Sequence, residues 1–169
     1  MQPVGSLEIA KKKVLYDMND FLSLIASQSA PVKTLDSGLH RLREIRSSLY
    51  ENLNQIQHEL LILEGLIWLT QSGSIPDKTE WFWNPRQTGT FEEPDLVGIC
   101  DDVPVVSAEA TTSEKPVGVI DSRMRDTLRK LDCMEGKKYY FVRTDAMANR
   151  ARTKITKEGL NIVVAKIGR

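Results

Sequence analysis

Leu49, Leu53, Ile56, Leu60, Leu63 and Ile67 follow one another at steps of four and three residues. That spacing holds six apolar side chains on one stripe of a helix. The pattern extends from about Leu39 to Thr70, where "QSGSIPDKTE" ends it. A long helix with so sustained an apolar face must lie against a second layer of structure. The richest part of the stripe, "LLILEGLIWL", is too short to span a membrane and is interrupted by Glu64.

The rest of the chain supplies that layer. Residues 6 to 28 show helical spacing through Leu7, Val14, Met18, Leu22 and Ile25, and "SQSAPVKTLDSG", residues 27 to 38, reads as a loop. "WFWNP" is an aromatic strand that stops at Pro85, and "RQTGTFEE" after it reads as a loop. "PDLVGIC" and "VPVVSAEATT" are two strands around the tight turn Asp101–Asp102. After Pro116 the helical period returns in Val117, Ile120, Met124, Leu128 and Leu131, and ends near Glu135–Gly136. "KKYYFVRT" is a strand, "DAMANRARTKITKEG" a helix with Asp145 as N-cap and Gly159 as C-cap, and "LNIVVAKI" a last strand. The expected fold is α/β: a mixed sheet, a three-stranded meander and then a βαβ unit, flanked by helices. Residues 1–44 are expected to form an N-terminal helical extension, and residues 45–169 the core.

Composition excludes several classes. The 23 basic and 23 acidic residues cancel, so no global field draws the chain to nucleic acid or an anionic membrane, although local patches remain possible. The N-terminus has no apolar signal core, which suggests a cytosolic protein. Cys100 and Cys133 have neither disulfide nor metal spacing and are expected to be small buried residues. His40 and His58 lie too far apart in sequence to suggest a site, and His58 has no second histidine at zinc spacing. There is no phosphate-binding glycine loop and no Gly-x-Ser-x-Gly elbow.

Chemistry concentrates on two acids. Asp95 opens one strand of the hairpin and Glu109 lies near the end of the other. With Asp101–Asp102 as a tight turn, they meet at the hairpin's open end, both flanked by apolar residues. Two carboxylates held close and half-buried repel each other unless a cation neutralises them. The bland alternative is a turn aspartate and a solvated strand-end glutamate.

Pro94-Asp95, the hairpin, then Glu109-Ala110-Thr111 resembles the PD-(D/E)xK nuclease motif, in an order of elements similar to that superfamily's restriction endonuclease-like core. The resemblance covers roughly residues 45 to 167. It implies a Mg²⁺-dependent (or Mn²⁺-dependent) DNA endonuclease that hydrolyses phosphodiester bonds through a metal-bound water. It implies Asp95 and Glu109 as metal ligands, the Ala110 carbonyl as another, and a further acid from the helix before the meander. With Leu60 at the centre of that helix's apolar face, Glu64 lies about 40° away and Glu59 about 100° away, at roughly 100° per residue. Glu64 is the expected ligand, a salt bridge to an Arg or Lys being its alternative.

The family's lysine belongs two residues after the second acid, where this chain has Thr111. Threonine supplies no positive charge, though its hydroxyl can hold a water. The departure bears on catalysis more than on fold. Lys115 in the following loop, Arg123 or Lys130 on the next helix, or the cation alone would have to compensate. A catalytically inactive module that binds nucleic acid or a protein partner also accounts for Thr111. An unrelated α/β interaction domain is a third reading.

Arg143, Arg150, Arg152 and Lys154, with Arg123 and Lys130 on the preceding helix, are candidate DNA-phosphate contacts; a solvated helix face is the alternative. Trp81 and Trp83 alternate along a strand and are expected to pack under the long helix. Cutting both strands of a duplex takes two sites, so a homodimer through the N-terminal helices is also expected.

Overall fold

The computed structural model describes residues 1–28, 31–85 and 93–168. Its elements are β1 (Gln2–Pro3), α1 (Leu7–Ser27), α2 (Leu35–Gln71), β2 (Glu80–Trp83), β3 (Leu96–Cys100), β4 (Val103–Thr111), α3 (Val119–Asp132), β5 (Lys137–Val142), α4 (Asp145–Glu158) and β6 (Val163–Lys166). The six strands form one open sheet in the order β1-β2-β3-β4-β5-β6. Pairing is antiparallel from β1 to β4 and parallel from β4 to β6. The mixed α/β sheet, with its meander followed by a βαβ unit, is therefore present. The two-residue edge strand β1 has no signal in the sequence.

Alternation along the strands assigns the two faces. Tyr139 and Phe141 of β5 and Val106, Ala108 and Ala110 of β4 share one core with α1 and α2, including Ala10, Val14, Leu61, Ile62 and Leu66. Tyr140 and Val142 join Met124, Leu128, Met147 and Ala151 in a second core beneath α3 and α4. The long helix comes close to the sheet at Gly65, where a Cβ would lie 2.6 Å from the Phe141 ring. Trp83 is buried in the first core and Trp81 packs against it, as their alternation predicts.

Several local details differ from the expectations. Helix α2 begins at Leu35 rather than Leu39, because Thr34 and Ser37 form a reciprocal capping box. Residue 44 lies inside α2, and Ala10 and Val14 of α1 belong to the same core as the sheet. The N-cap of α4 is Thr144, whose hydroxyl accepts from the Met147 N–H, while Asp145 is the first helical residue; Gly159 is the left-handed C-cap. Cys100 is only half-buried and Cys133 is exposed at the end of α3, so neither is a buried core residue. The "RQTGTFEE" loop lies outside the described residues except for Glu93. Among the described residues no helix is long and apolar enough to cross a membrane.

Candidate functional site

The hairpin turn sets the site. Asp101 and Asp102 both have positive φ, 50° and 61°, the conformation that lets a two-residue turn follow the twist of its strands. Leu96 then pairs with Ala108. One step further toward the open end, Asp95 stands beside Glu109. Both are buried, 6% exposed each. They line a cleft of about 1010 Å³ between the C-terminal end of β4, α3 and the middle of α2.

Asp95 is held from two sides. Its Oδ2 accepts the Ala110 N–H at 2.8 Å and lies 3.1 Å from His58 Nε2 on α2. The backbone of Asp95 is fixed as well, its carbonyl accepting the Asn84 N–H at 2.9 Å. Burial opposes protonation of His58, but the hydrogen bond and charge of Asp95, with Pro85 and Glu109 acting in the same direction, raise the imidazole pKa above its ordinary value. Sequence spacing alone gives His58 no role. Its signal is tertiary, since 37 residues separate it from Asp95.

Glu109 is met from α3, where the Lys130 ammonium forms an ion pair with its Oε1. Lys130 also donates to the Glu93 carbonyl at 3.1 Å. Burial first, and then the neighbouring Asp95 carboxylate, push the Glu109 pKa up to about 8, against the opposing effect of Lys130. The two acids thus line one cleft, and Lys130 reaches Glu109 from α3.

Thr111 faces the same side as Glu109. Its Oγ1 accepts the Tyr140 hydroxyl at 2.8 Å, and burial pushes the Tyr140 pKa up to about 12. Ala110 lines the cleft through the strand that carries Glu109. Arg123 lines the same cleft from α3. Lys115 is exposed in the loop before α3 and is not part of the cleft wall.

Other expected site residues are engaged elsewhere. Glu64 forms an ion pair with Arg143, the salt-bridge alternative, and is not part of the cleft wall. Glu59, expected at the border of the apolar face, is instead fully buried and paired with Lys13 of α1 at 3.1 Å. The helix is packed by α1 on one flank and the sheet on another, so a single face centre misplaces both acids. Among the described residues no three His, Cys, Asp or Glu side chains are grouped to hold a metal ion. The set Glu64, Asp95 and Glu109 is therefore not assembled.

The basic helices are laced to acids between them. Arg150 and Lys154 of α4 both bond Asp121 of α3, at 2.6 and 3.0 Å, and hold its carboxyl well below the usual range. Arg129 of α3 bonds Glu158 of α4 at 2.6 Å. Arg152 donates to Asn149 and to the Val164 carbonyl. Much of this positive charge joins α3 to α4.

The fold and site define an α/β protein with a buried acid pair in an open cleft. No family model, no curated protein and no solved structure matches the chain.

Proposed function

We propose that the protein is a divalent-metal-dependent endonuclease of the PD-(D/E)xK type, acting on DNA phosphodiesters in the cleft that holds Asp95 and Glu109. The observation that carries this reading is the buried acid pair at the open end of the meander, with Lys130 delivered to it from α3. The order of elements, helix, meander, helix, strand, helix, strand, supports the restriction endonuclease-like assignment.

The acids suit a hard cation. Magnesium commonly takes one or two carboxylates and completes its shell with water and substrate phosphate. Asp95 and Glu109 offer two carboxylates at the edge of a wide, open cleft. Burial, and then the neighbouring Asp95 carboxylate, raise the Glu109 pKa, and a divalent cation held by both acids would offset their repulsion. When bound, such a cation supplies a Lewis acid for the phosphate and acidifies a nearby water.

The protein's own groups do the positioning. The Ala110 N–H and His58 fix the orientation of Asp95 before substrate arrives. Lys130 places a positive charge beside Glu109, where it can stabilise a phosphate as charge builds on it. Arg123, on the same cleft wall, is placed for a substrate phosphate. Thr111 holds a buried tyrosine hydroxyl and leaves the lysine's task to Lys130.

Incubation with supercoiled plasmid in Mg²⁺ or Mn²⁺ tests this. Wild type is expected to nick the plasmid, and Asp95→Asn and Glu109→Gln are expected to abolish nicking while remaining folded. Nicking that survives in both variants would exclude this site.

A second reading has its own observation. Each acid already has a basic partner, Lys130 for Glu109 and His58 for Asp95. A site so neutralised also suits an inactive module that binds nucleic acid or a protein partner. That reading predicts no metal-dependent nicking by the wild type.

A further inference from the structure

Helix α2 carries one heptad stripe along its whole length. Leu35, Leu39, Leu42, Arg46, Leu49 and Leu53 continue at alternating steps of four and three into Ile56, Leu60, Leu63 and Ile67. The second half of the stripe belongs to the region of α2 that packs on the sheet, with Ile56 and Leu63 buried. The first half has no such cover. Among the described residues no side chain from Leu15 to Gln55 is buried. At 1.5 Å per residue, the part of α2 before Ile56 extends roughly 30 Å as one arm of a helical hairpin with α1.

The arm is apolar on its outside. Leu35, Leu39, Leu42 and Leu53 of α2, with Leu15, Leu22 and Ile25 of α1, are between 41% and 93% exposed. Leu15, Met18, Leu22 and Ile25 again step by three, four and three. Seven such side chains, at about 60–120 Å² of buried surface each, amount to roughly 400–800 Å² per chain. A standard interface takes about 800 Å² per partner, and lone proteins rarely expose so large an apolar patch.

We infer that the arm pairs with a second copy of this chain, α2 against α2 in antiparallel orientation, with the two-fold axis at residue 44. The stripe is self-complementary about that point. Leu35 meets Leu53 of the partner subunit, Leu39 meets Leu49 of the partner subunit, and Leu42 meets Arg46 of the partner subunit. Each layer then joins a first to a fourth heptad position, the pairing of an antiparallel coiled coil. The single arginine in the stripe fixes the register, because slipping the helices by a heptad changes which leucines face it. The α1 stripes bury along the flanks and complete a four-helix bundle. This pairing does not rest on the nuclease reading.

Sedimentation equilibrium on the full chain, up to about 100 µM, tests the inference. Wild type is expected at twice 19.1 kDa. Leu39→Glu, at an exposed position, is expected to halve the mass with an unchanged circular dichroism spectrum. Leu42→Glu is expected to remain dimeric, because the new carboxylate faces an arginine, whereas Leu42→Lys is expected to be monomeric. A wild type that stays at the monomer mass overturns the pairing and leaves the stripe to a different chain. A dimer that survives Leu39→Glu overturns it in favour of another surface. Leu42→Glu and Leu42→Lys behaving alike overturns the antiparallel register.

Discussion

Lys130 of α3 reaches the carboxylate of Glu109 on β4, 21 positions earlier in the chain, while the residue two after Glu109 is a threonine bonded to Tyr140. The positive charge beside the second acid thus comes from a helix and not from the strand. Substituting Lys130→Met leaves Glu109 buried without this ammonium. The expected cost is about 3 kcal/mol near pH 9, where the wild-type Glu109 has given up its proton to pair with Lys130, and clearly less near pH 5, where it holds a proton. Urea denaturation at the two pH values measures the difference. Under the proposed function the same variant loses nicking by about 10²–10³-fold, as when a group that stabilises transition-state charge is removed.

Glu109 itself ties stability to pH. Its folded pKa of about 8 lies above its ordinary 4.5, so the folded chain keeps a proton that the unfolded chain gives up. The resulting stabilisation is complete below about 4.5 and is lost as pH rises through about 8. Glu109→Gln has no such proton to lose. In metal-free buffer the variant is expected to gain on the wild type by about 2–4 kcal/mol between pH 5 and pH 9, each tenfold difference in proton affinity being worth about 1.4 kcal/mol. Thermal melts of both proteins across that range measure the gap; parallel curves would show that Glu109 ionises normally.

The bond between Tyr140 and Thr111 gives a third prediction. Tyr140 is fully buried, and Thr111 accepts its hydroxyl. Thr111→Val strands that hydroxyl and is expected to cost about 1–2 kcal/mol, whereas Thr111→Val with Tyr140→Phe recovers most of the loss. Thr111→Lys, which supplies the lysine of the resembled motif, is expected to lower the melting temperature and, under the proposed function, to add no nicking, because it places a second cation near Lys130. A gain in nicking would show that the strand position remains competent.

Away from the cleft, Lys13 of α1 bridges Glu59 and Asp17, at 3.1 and 2.5 Å. Burial, and then the bond with Asp17, raise the Glu59 pKa, while Lys13 opposes them. Lys13→Met leaves two neighbouring carboxylates, one fully buried, and is expected to cost about 3–5 kcal/mol. Replacing all three charges, Lys13→Met with Glu59→Met and Asp17→Leu, is expected to lie within about 1 kcal/mol of wild type, because no buried charge is left without a partner. Chemical denaturation of the single and triple variants separates ion-pair loss from packing loss.

The sequence by itself determined the elements other than β1, and the acid pair. The period of three and four in α2, the period of two in the strands, and a two-residue turn at Asp101–Asp102 are local properties, and together they specify the mixed sheet and bring Asp95 beside Glu109. Only the tertiary structure decided what surrounds that pair. His58 and Lys130 lie 37 and 21 residues from the acids they contact, and Glu64 is drawn to Arg143, 79 residues away. A helical wheel gives the angle of a side chain about its own axis, but not which neighbouring element covers that angle. Charge partners are chosen by that cover, through the desolvation each ion escapes by pairing, and this is fixed only when the helices dock on the sheet.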